Sequence, residues 1–381
     1  MTSHYTRIAE RLMRIPTAPF REHWMCAAID RMVACLPGVE LSCDGFGNRI
    51  ARLRRGNPSG PPVVFVAHLD HPGFLFPTEA GIAQGAGGRF EATFEGRVET
   101  RYFAGSRARF FRSPDDPGVA ARVTSTSDDL PESGNRLVVL EAGESIDGAT
   151  LGMWDVEPFR VDATGLVYSR ACDDLAGCAA MLEALRRLAE SAAPDLDFSL
   201  VFSRAEEAGF CGLLCRLDDP GFEEHLSPDS LFLSVETSGE VGEARVGSGA
   251  IIRVGDRSTT FDGGIVDLLW GLASGSSLRA RRALMDRGTC EATAFARAGL
   301  RAGGVCIPVR NYHNQDPATG RIAPECVSLA DAEALVELIR GLGEACGQGD
   351  QPRAVVAHDY GRYLKKGLGG LCPVPLGTQL I

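Results

Sequence analysis

Five consecutive apolar residues, Val63-Val64-Phe65-Val66-Ala67, run without a break into His68-Leu69-Asp70. A strand of that composition offers no polar face to water, so it must be covered on both sides. Double cover implies helices on two faces of a largely parallel sheet. The rest of the chain supplies them. Residues 5–14 and 21–35 carry apolar side chains at three- and four-residue spacing. Leu175, Cys178, Leu182, Leu185 and Leu188 form a helical stripe. Leu329, Ala332, Leu335, Val336, Ile339 and Leu342 form another, with Ser328 placed to cap it. Arg49–Leu53, Asp197–Ser203, Leu231–Val235 and Gly303–Ile307 read as strands.

Between about residues 77 and 165 the texture changes. Phe90, Ala92 and Phe94 alternate with polar residues, as do Val98, Thr100 and Tyr102. Short runs at Arg107–Phe111, Val119–Val123 and Leu137–Leu140 follow, separated by clusters such as Pro114-Asp115-Asp116-Pro117-Gly118 and Ser133-Gly134-Asn135. No helical period is present there. The expected fold class is therefore α/β: a three-layer αβα domain with a mixed, mostly parallel central sheet, interrupted by a small all-β domain. The domains expected are 1–76 with 166–381, and an inserted 77–165. The tail from Gly347, rich in Gly and Pro, suggests no regular structure.

Composition narrows the function. Lys and Arg number 39 against 50 Asp and Glu, a net charge of −11. Without a polybasic run, such a chain is a poor partner for nucleic acid or an anionic membrane. No apolar run approaches the roughly 20 residues that cross a bilayer, and Met1–Pro16 has no apolar signal core, so a cytoplasmic location is expected. The 12 cysteines include no CxxC pair and read as buried thiols, Cys211 and Cys215 on one helix included. With only 7 histidines, a metal site would have to draw on carboxylates.

Five segments place acids or histidines where predicted strands end, the edge at which open α/β sheets bind ligands. They are His68-Leu69-Asp70, Cys172-Asp173-Asp174, Ala205-Glu206-Glu207, Glu236 after Leu233-Ser234-Val235, and Tyr312-His313-Asn314. Each alone has a plain structural reading. A histidine may be packed as well as ligating, an Asp pair can cap a helix, and paired glutamates commonly sit on a solvated face. Together they form a set of oxygen and imidazole ligands sufficient for two metals. Asp70, two residues beyond His68, could accept the second ring N–H and fix the tautomer. His4, His23, His225 and His358 lack acid-rich surroundings, and His71 reads as a loop residue.

This set resembles the co-catalytic metallopeptidases, best the glutamyl-aminopeptidase family that includes the tetrahedral aminopeptidases. The resemblance runs from about Ile8 to Ile339 and includes Asp44-x-x-Gly47-Asn48 and Gly249–Ser258. His68 precedes Asp173 by 105 residues and Glu236 precedes His313 by 77, so the long insertion lies between the first and second ligands, as in that family. The resemblance implies that Asp173 bridges two divalent metal ions, with a cis bond to Asp174. His68 and Glu236 would hold one metal, Glu207 and His313 the other. Glu206 would be the general base and Asp70 would orient His68. Zn is the first choice of metal, with Co and Mn as alternatives. The implied activity is an aminopeptidase reaction on peptides, with metal-bridging hydroxide as nucleophile; the alternatives are an amidohydrolase acting on a small N-acyl substrate and a non-catalytic homologue. A homo-oligomer is implied, dimer-based and up to a dodecamer, assembled through the β domain. Three positions depart from the family pattern: Glu236 replaces the commoner Asp, Thr289-Cys290-Glu291 stands for Thr-Asp-Ala, and His71 follows Asp70 in place of Glu.

Overall fold

In the computed structural model, the described residues are 3–76, 88–127, 135–219, 221 and 226–349. Eight strands build the central sheet: β1 (Val39–Cys43), β2 (Arg49–Arg55), β3 (Val63–His68), β12 (Leu196–Ser203), β13 (Leu231–Gly239), β14 (Ala250–Asp256), β15 (Ala280–Met285) and β16 (Ala302–Val309). Their order is β1-β2-β12-β3-β13-β16-β14-β15. The middle four, β12, β3, β13 and β16, are mutually parallel, and antiparallel neighbours flank them. The sheet is thus mixed and parallel at its centre, as the sequence predicts.

The apolar run in β3 divides between two cores. Val63, Phe65 and Ala67 join the cluster that contains α1 (His4–Met13), α2 (His23–Val33), α3 (Leu175–Glu190), α5 (Gly263–Gly275) and α7 (Leu329–Gly347). Val64 and Val66 face the opposite cluster, built with α4 (Cys211–Asp218) and α6 (Glu291–Arg297). Alternation along the strand is what assigns successive side chains to opposite layers. Ser328 caps α7 as expected, its hydroxyl accepting from the Ala330 N–H.

Directly after His71-Pro72 the chain enters a closed six-stranded barrel. Its strands are β4 (Gly73–Leu75), β5 (Gly88–Glu95), β6 (Arg107–Phe111), β7 (Val119–Thr126), β8 (Arg136–Ala142) and β9 (Leu151–Trp154), in the order β4-β5-β8-β7-β6-β9. Edge-to-face aromatics fill it: Phe74 lies 4.9 Å from both Phe94 and Trp154, and Phe94 lies 5.0 Å from Phe103. The expected strand around Val98–Tyr102 is instead a 3-10 turn over Thr100–Tyr102. Gly96, at φ 108°, ends β5, and the turn buries Val98 and Tyr102 together. The chain returns through β10 (Arg160–Val161) and β11 (Leu166–Ser169), to which β19 (Glu325–Ser328) later adds. A small hairpin, β17 (Gln315–Asp316) with β18 (Arg321–Ile322), lies between β16 and β19.

In the central sheet and its helices, β1, β14, α5, β15 and α6 escaped the sequence reading. β15 is an edge strand whose arginines, Arg281 and Arg282, are exposed, so it carries little apolar periodicity. α5 begins on two glycines, with Asp262 capping it through Ile265 N–H. The Gly/Pro-rich tail expected to be irregular lies outside the described residues beyond Gly349.

An ionic cluster ties three helices of the first layer. The Glu183 carboxylate, 1 % exposed, meets Arg186 at 2.8 Å, Arg187 at 2.7 Å and His4 at 2.7 Å. Arg187 continues to Glu333 on α7 at 2.6 Å. Burial alone would raise the Glu183 pKa, but hydrogen bonds from Arg186 and Arg187 outweigh it and hold it down to about 2. Its contribution is therefore complete above about pH 4.5 and is lost as pH falls towards 2. Glu183→Gln should lower the urea midpoint at pH 7 and reduce its fall between pH 5 and 3, relative to the unmodified chain.

Candidate metal centre

The parallel strands β12, β3, β13 and β16 share one C-terminal edge, and five chain segments converge there. His68 ends β3. Glu206 and Glu207 follow β12. Glu236 lies in β13. His313 follows β16, and Asp173 lies between β11 and α3. The fold thus gathers every metal-ligand candidate read from the sequence. His68, Asp173, Glu236 and His313 are buried, as is Glu206.

The loop after β12 is held by its backbone. Four successive N–H groups each find a side-chain oxygen: Arg204 on Asn48 at 3.0 Å, Ala205 on Glu22 at 2.9 Å, and Glu206 and Glu207 on the two oxygens of Asp70, each at 3.0 Å. Ala205 takes φ 51° in this turn, a conformation those bonds sustain. The Asp44–Asn48 motif earns its place here. Asp44 accepts from Asn48 Nδ2 at 2.7 Å and so aims the Asn48 carbonyl oxygen at Arg204.

Asp70 therefore has a different partner from the one expected. Its carboxylate lies 3.7 Å from His68 Nδ1, too far for a hydrogen bond. The ring N–H instead donates to the Asp70 backbone carbonyl at 3.1 Å. The carboxylate is engaged by the glutamate loop. His313 is fixed in the same way, Nδ1 donating to the Arg97 carbonyl at 2.9 Å. Both rings consequently present Nε2 inward. His68 Nε2 stands 3.5 Å from Asp173 and 3.9 Å from Glu206, and His313 Nε2 stands 3.4 Å from Asp173 and 2.9 Å from Glu207.

Three further residues hold the centre and were not singled out in the sequence, or were given another role. Glu325, at the start of β19, accepts from the N–H groups of Cys172 at 2.7 Å, Asp173 at 2.9 Å and His313 at 2.8 Å. His71 is a buried support and not a loop residue: it meets the Asp173 carbonyl at 2.7 Å and Asn314 Oδ1 at 3.0 Å. Glu291 is fully buried with neither carboxylate oxygen hydrogen-bonded. The Asp173–Asp174 peptide is cis. Asp174 accepts from Thr237 Oγ1 at 2.8 Å, in space that exists because residue 177 is glycine; a Cβ there would stand 2.3 Å from Asp174 Oδ1.

The electrostatics are those of crowded carboxylates. Burial raises the pKa of Glu206 well above its usual range, with repulsion from Glu207, Glu236 and Glu291 adding to it despite His68. Burial also pushes Glu236 up to about 7 and Glu291 up to about 8. Both ligand-candidate histidines are raised as well, for the opposite reason: burial would lower them, but the surrounding carboxylates raise both.

Three sets of side chains bring ligand atoms within 4.8 Å of one another: His68, Asp173 and Glu236; Asp173, Glu207 and His313; and His68, Glu206 and Glu207. Asp173 Oδ1, Glu207 Oε1 and His313 Nε2 are buried, and although Glu207 approaches His313 to 2.9 Å none of the three makes a hydrogen bond of good geometry. Buried polar atoms left unpaired among like charges are costly, and a cation is what such a set of oxygen and imidazole donors fits.

A layered α/β sheet with a His/carboxylate centre at its strand ends defines this molecule as a metallopeptidase, a hydrolase. A family model described as M42 glutamyl aminopeptidase matches residues 141–338, just over half of the chain, and the chain belongs to that family. A curated relative from Acetivibrio thermocellus, described only provisionally as an aminopeptidase, is 24 % identical over 333 residues, 82 % of this chain and 90 % of that protein. Among solved structures, an aminopeptidase from the archaeon Desulfurococcus kamchatkensis superposes with a TM-score of 0.72 at 19 % identity, covering 92 % of this chain and 96 % of that one. The Pyrococcus horikoshii TET1 peptidase gives 0.70 at 19 % identity, covering 89 % and 99 %. These superpositions establish the shared fold.

Glu325 makes a specific expectation. Glu325→Gln should weaken divalent-cation binding about 10- to 100-fold, as loss of an outer hydrogen-bond partner of a metal site typically does. Isothermal titration of the metal-free protein measures this; unchanged affinity would show that Glu325 only braces the backbone.

Proposed function

We propose that the chain is a dinuclear metal-dependent aminopeptidase that releases N-terminal residues from peptides. One observation carries the reading. Two of the three ligand sets share Asp173 alone, which would make it the bridge between two cation positions. His68 and Glu236 would complete one position, Glu207 and His313 the other. Glu206 is needed by neither.

When bound, the two cations would polarise the scissile carbonyl and make water acidic enough to attack near neutral pH. The remaining steps belong to the chain. Glu206 takes the proton of the attacking water and delivers it to the leaving amine. Its backbone is pinned by Asp70 while its carboxylate remains available. A pKa raised by burial suits a group that must accept and then release a proton near neutrality. Glu236 in place of a shorter acid is supported by Ser234, whose hydroxyl donates to it at 2.8 Å.

We also propose that residues 77–165 form a domain inserted between 1–76 and 166–381, serving self-association and substrate access, and that the protein works in the cytoplasm. Related structures support the assembly reading. One TET1 structure holds a dodecamer, and the Pyrococcus horikoshii peptidase can assemble into a tetrahedron or an octahedral shell.

The test is release of N-terminal residues from aminoacyl-p-nitroanilides and short peptides, after chelation and single readdition of Zn²⁺, Co²⁺ or Mn²⁺. Metal-restored release is expected, Zn²⁺ first. Turnover of N-acyl substrates with none of free-amine ones would instead assign an amidohydrolase. Glu206→Gln should lower kcat by about 10² to 10⁴ while metal content stays constant. Near-normal turnover at full metal content would remove Glu206 from the base role.

A further inference from the structure

The space around the centre is narrow at one end and wide at the other. The central cavity, about 220 Å³, is walled by Glu206, Glu207, His313, Tyr312, Arg287 and Arg97. At one end, past Arg287 and Tyr312, lies a recess of about 40 Å³ bounded by Glu236, Arg253 and Met285. At the other, past Arg97, lies an open groove of about 880 Å³ on the barrel, flanked by Arg101, Arg136 and Gln315. An aminopeptidase substrate ends at its first residue, so that residue takes the narrow end. The rest of the peptide must leave over Arg97.

Arg97 is held in place there by its backbone. Its carbonyl accepts from His313 Nδ1 at 2.9 Å, and two residues on, the Glu99 N–H donates to Gln315 Oε1 at 2.9 Å. The guanidinium is uncommitted: among the described residues neither Arg97 nor Arg287 has a hydrogen-bond or ion-pair partner. The other groove arginines are engaged, Arg101 with Glu99 at 2.9 Å and Arg136 with Thr100 at 2.9 Å. A free guanidinium at the groove end of the cavity, in a chain with net charge −11, is a local reversal of its overall field.

We propose that Arg97, where the cavity opens into the groove, forms a carboxylate-binding subsite on the leaving-group side of the scissile bond. The proposal rests on the aminopeptidase reading. A guanidinium recognises a carboxylate through paired N–H donors. Two sources supply that group: the C-terminal carboxylate of a short peptide, or an acidic side chain following the scissile bond.

Four peptides separate them, each starting with the residue X released fastest from a p-nitroanilide. X-Gly-Gly against X-Gly-Gly-amide tests the C-terminus. X-Asp-Gly-amide against X-Asn-Gly-amide tests the side chain. At least one pair should favour the carboxylate about 10- to 100-fold in kcat/KM, the range for hydrogen bonds to a charged group, chiefly through KM. Arg97→Gln should bring that ratio close to 1, and Arg97→Lys should keep part of it. The ratio is internal to each variant, so a general loss of activity does not mimic the effect. Ratios near 1 for both pairs in the unmodified enzyme, or a preference that survives Arg97→Gln, overturn the subsite and leave the aminopeptidase reading standing. No release of X from any substrate, p-nitroanilides included, overturns both.

Discussion

Seven carboxylates, Asp70, Asp173, Asp174, Glu206, Glu236, Glu291 and Glu325, are withdrawn from water at one edge of one sheet. The rest of the structure is arranged around that cost. An isolated buried carboxylate either finds partners or gives up its charge. Asp70 and Glu325 find partners in backbone N–H groups, and Asp174 finds one in Thr237. Asp173 and Glu207 face each other and two imidazoles, a set of donors that fits divalent cations. Because the site can exist only in the folded chain, binding those cations stabilises the fold as well as the centre.

The convergence also explains why so few residues are free to vary in position. His68 and Asp70 lie on one strand exit, and His68 is fixed through Asp70's own carbonyl. The Asp70 carboxylate then places Glu206 and Glu207, so one short segment sets a ligand on one strand and two acids on the next. His313 is fixed by Arg97, a barrel residue. The barrel is thus part of the centre's geometry, and a shift of its Gly96–Thr100 loop would turn the imidazole.

Much of this was legible because it is local. The apolar run of β3 announces a strand covered twice, and the two cores receive its alternate residues. The stripe from Leu175 to Leu188 announces α3. Acids at strand exits announced the centre because strand ends are visible in hydropathy. The supports were not legible because their partners are remote in sequence. Glu325 lies 152 residues from Asp173, and His71 lies 243 from Asn314. The exchange of partners at Asp70 was hidden for the same reason. A spacing of two predicts proximity to His68, but a backbone 136 residues away competes for the same carboxylate and holds both its oxygens, one bond to each.

The two glutamates after β12 show how one loop yields two chemical roles. Both receive the same backbone restraint from Asp70, yet their side chains diverge. Glu207 is drawn against His313 at 2.9 Å, within the set that shares Asp173. Glu206 stands 3.9 Å from His68, near the centre and outside both of the sets that meet at Asp173. A rigid backbone with an uncommitted carboxylate is what proton transfer asks for, since the group must hold its place while changing its charge. On the proposed reading, the clamp on the backbone would fix where the proton goes, and burial would set how readily it leaves.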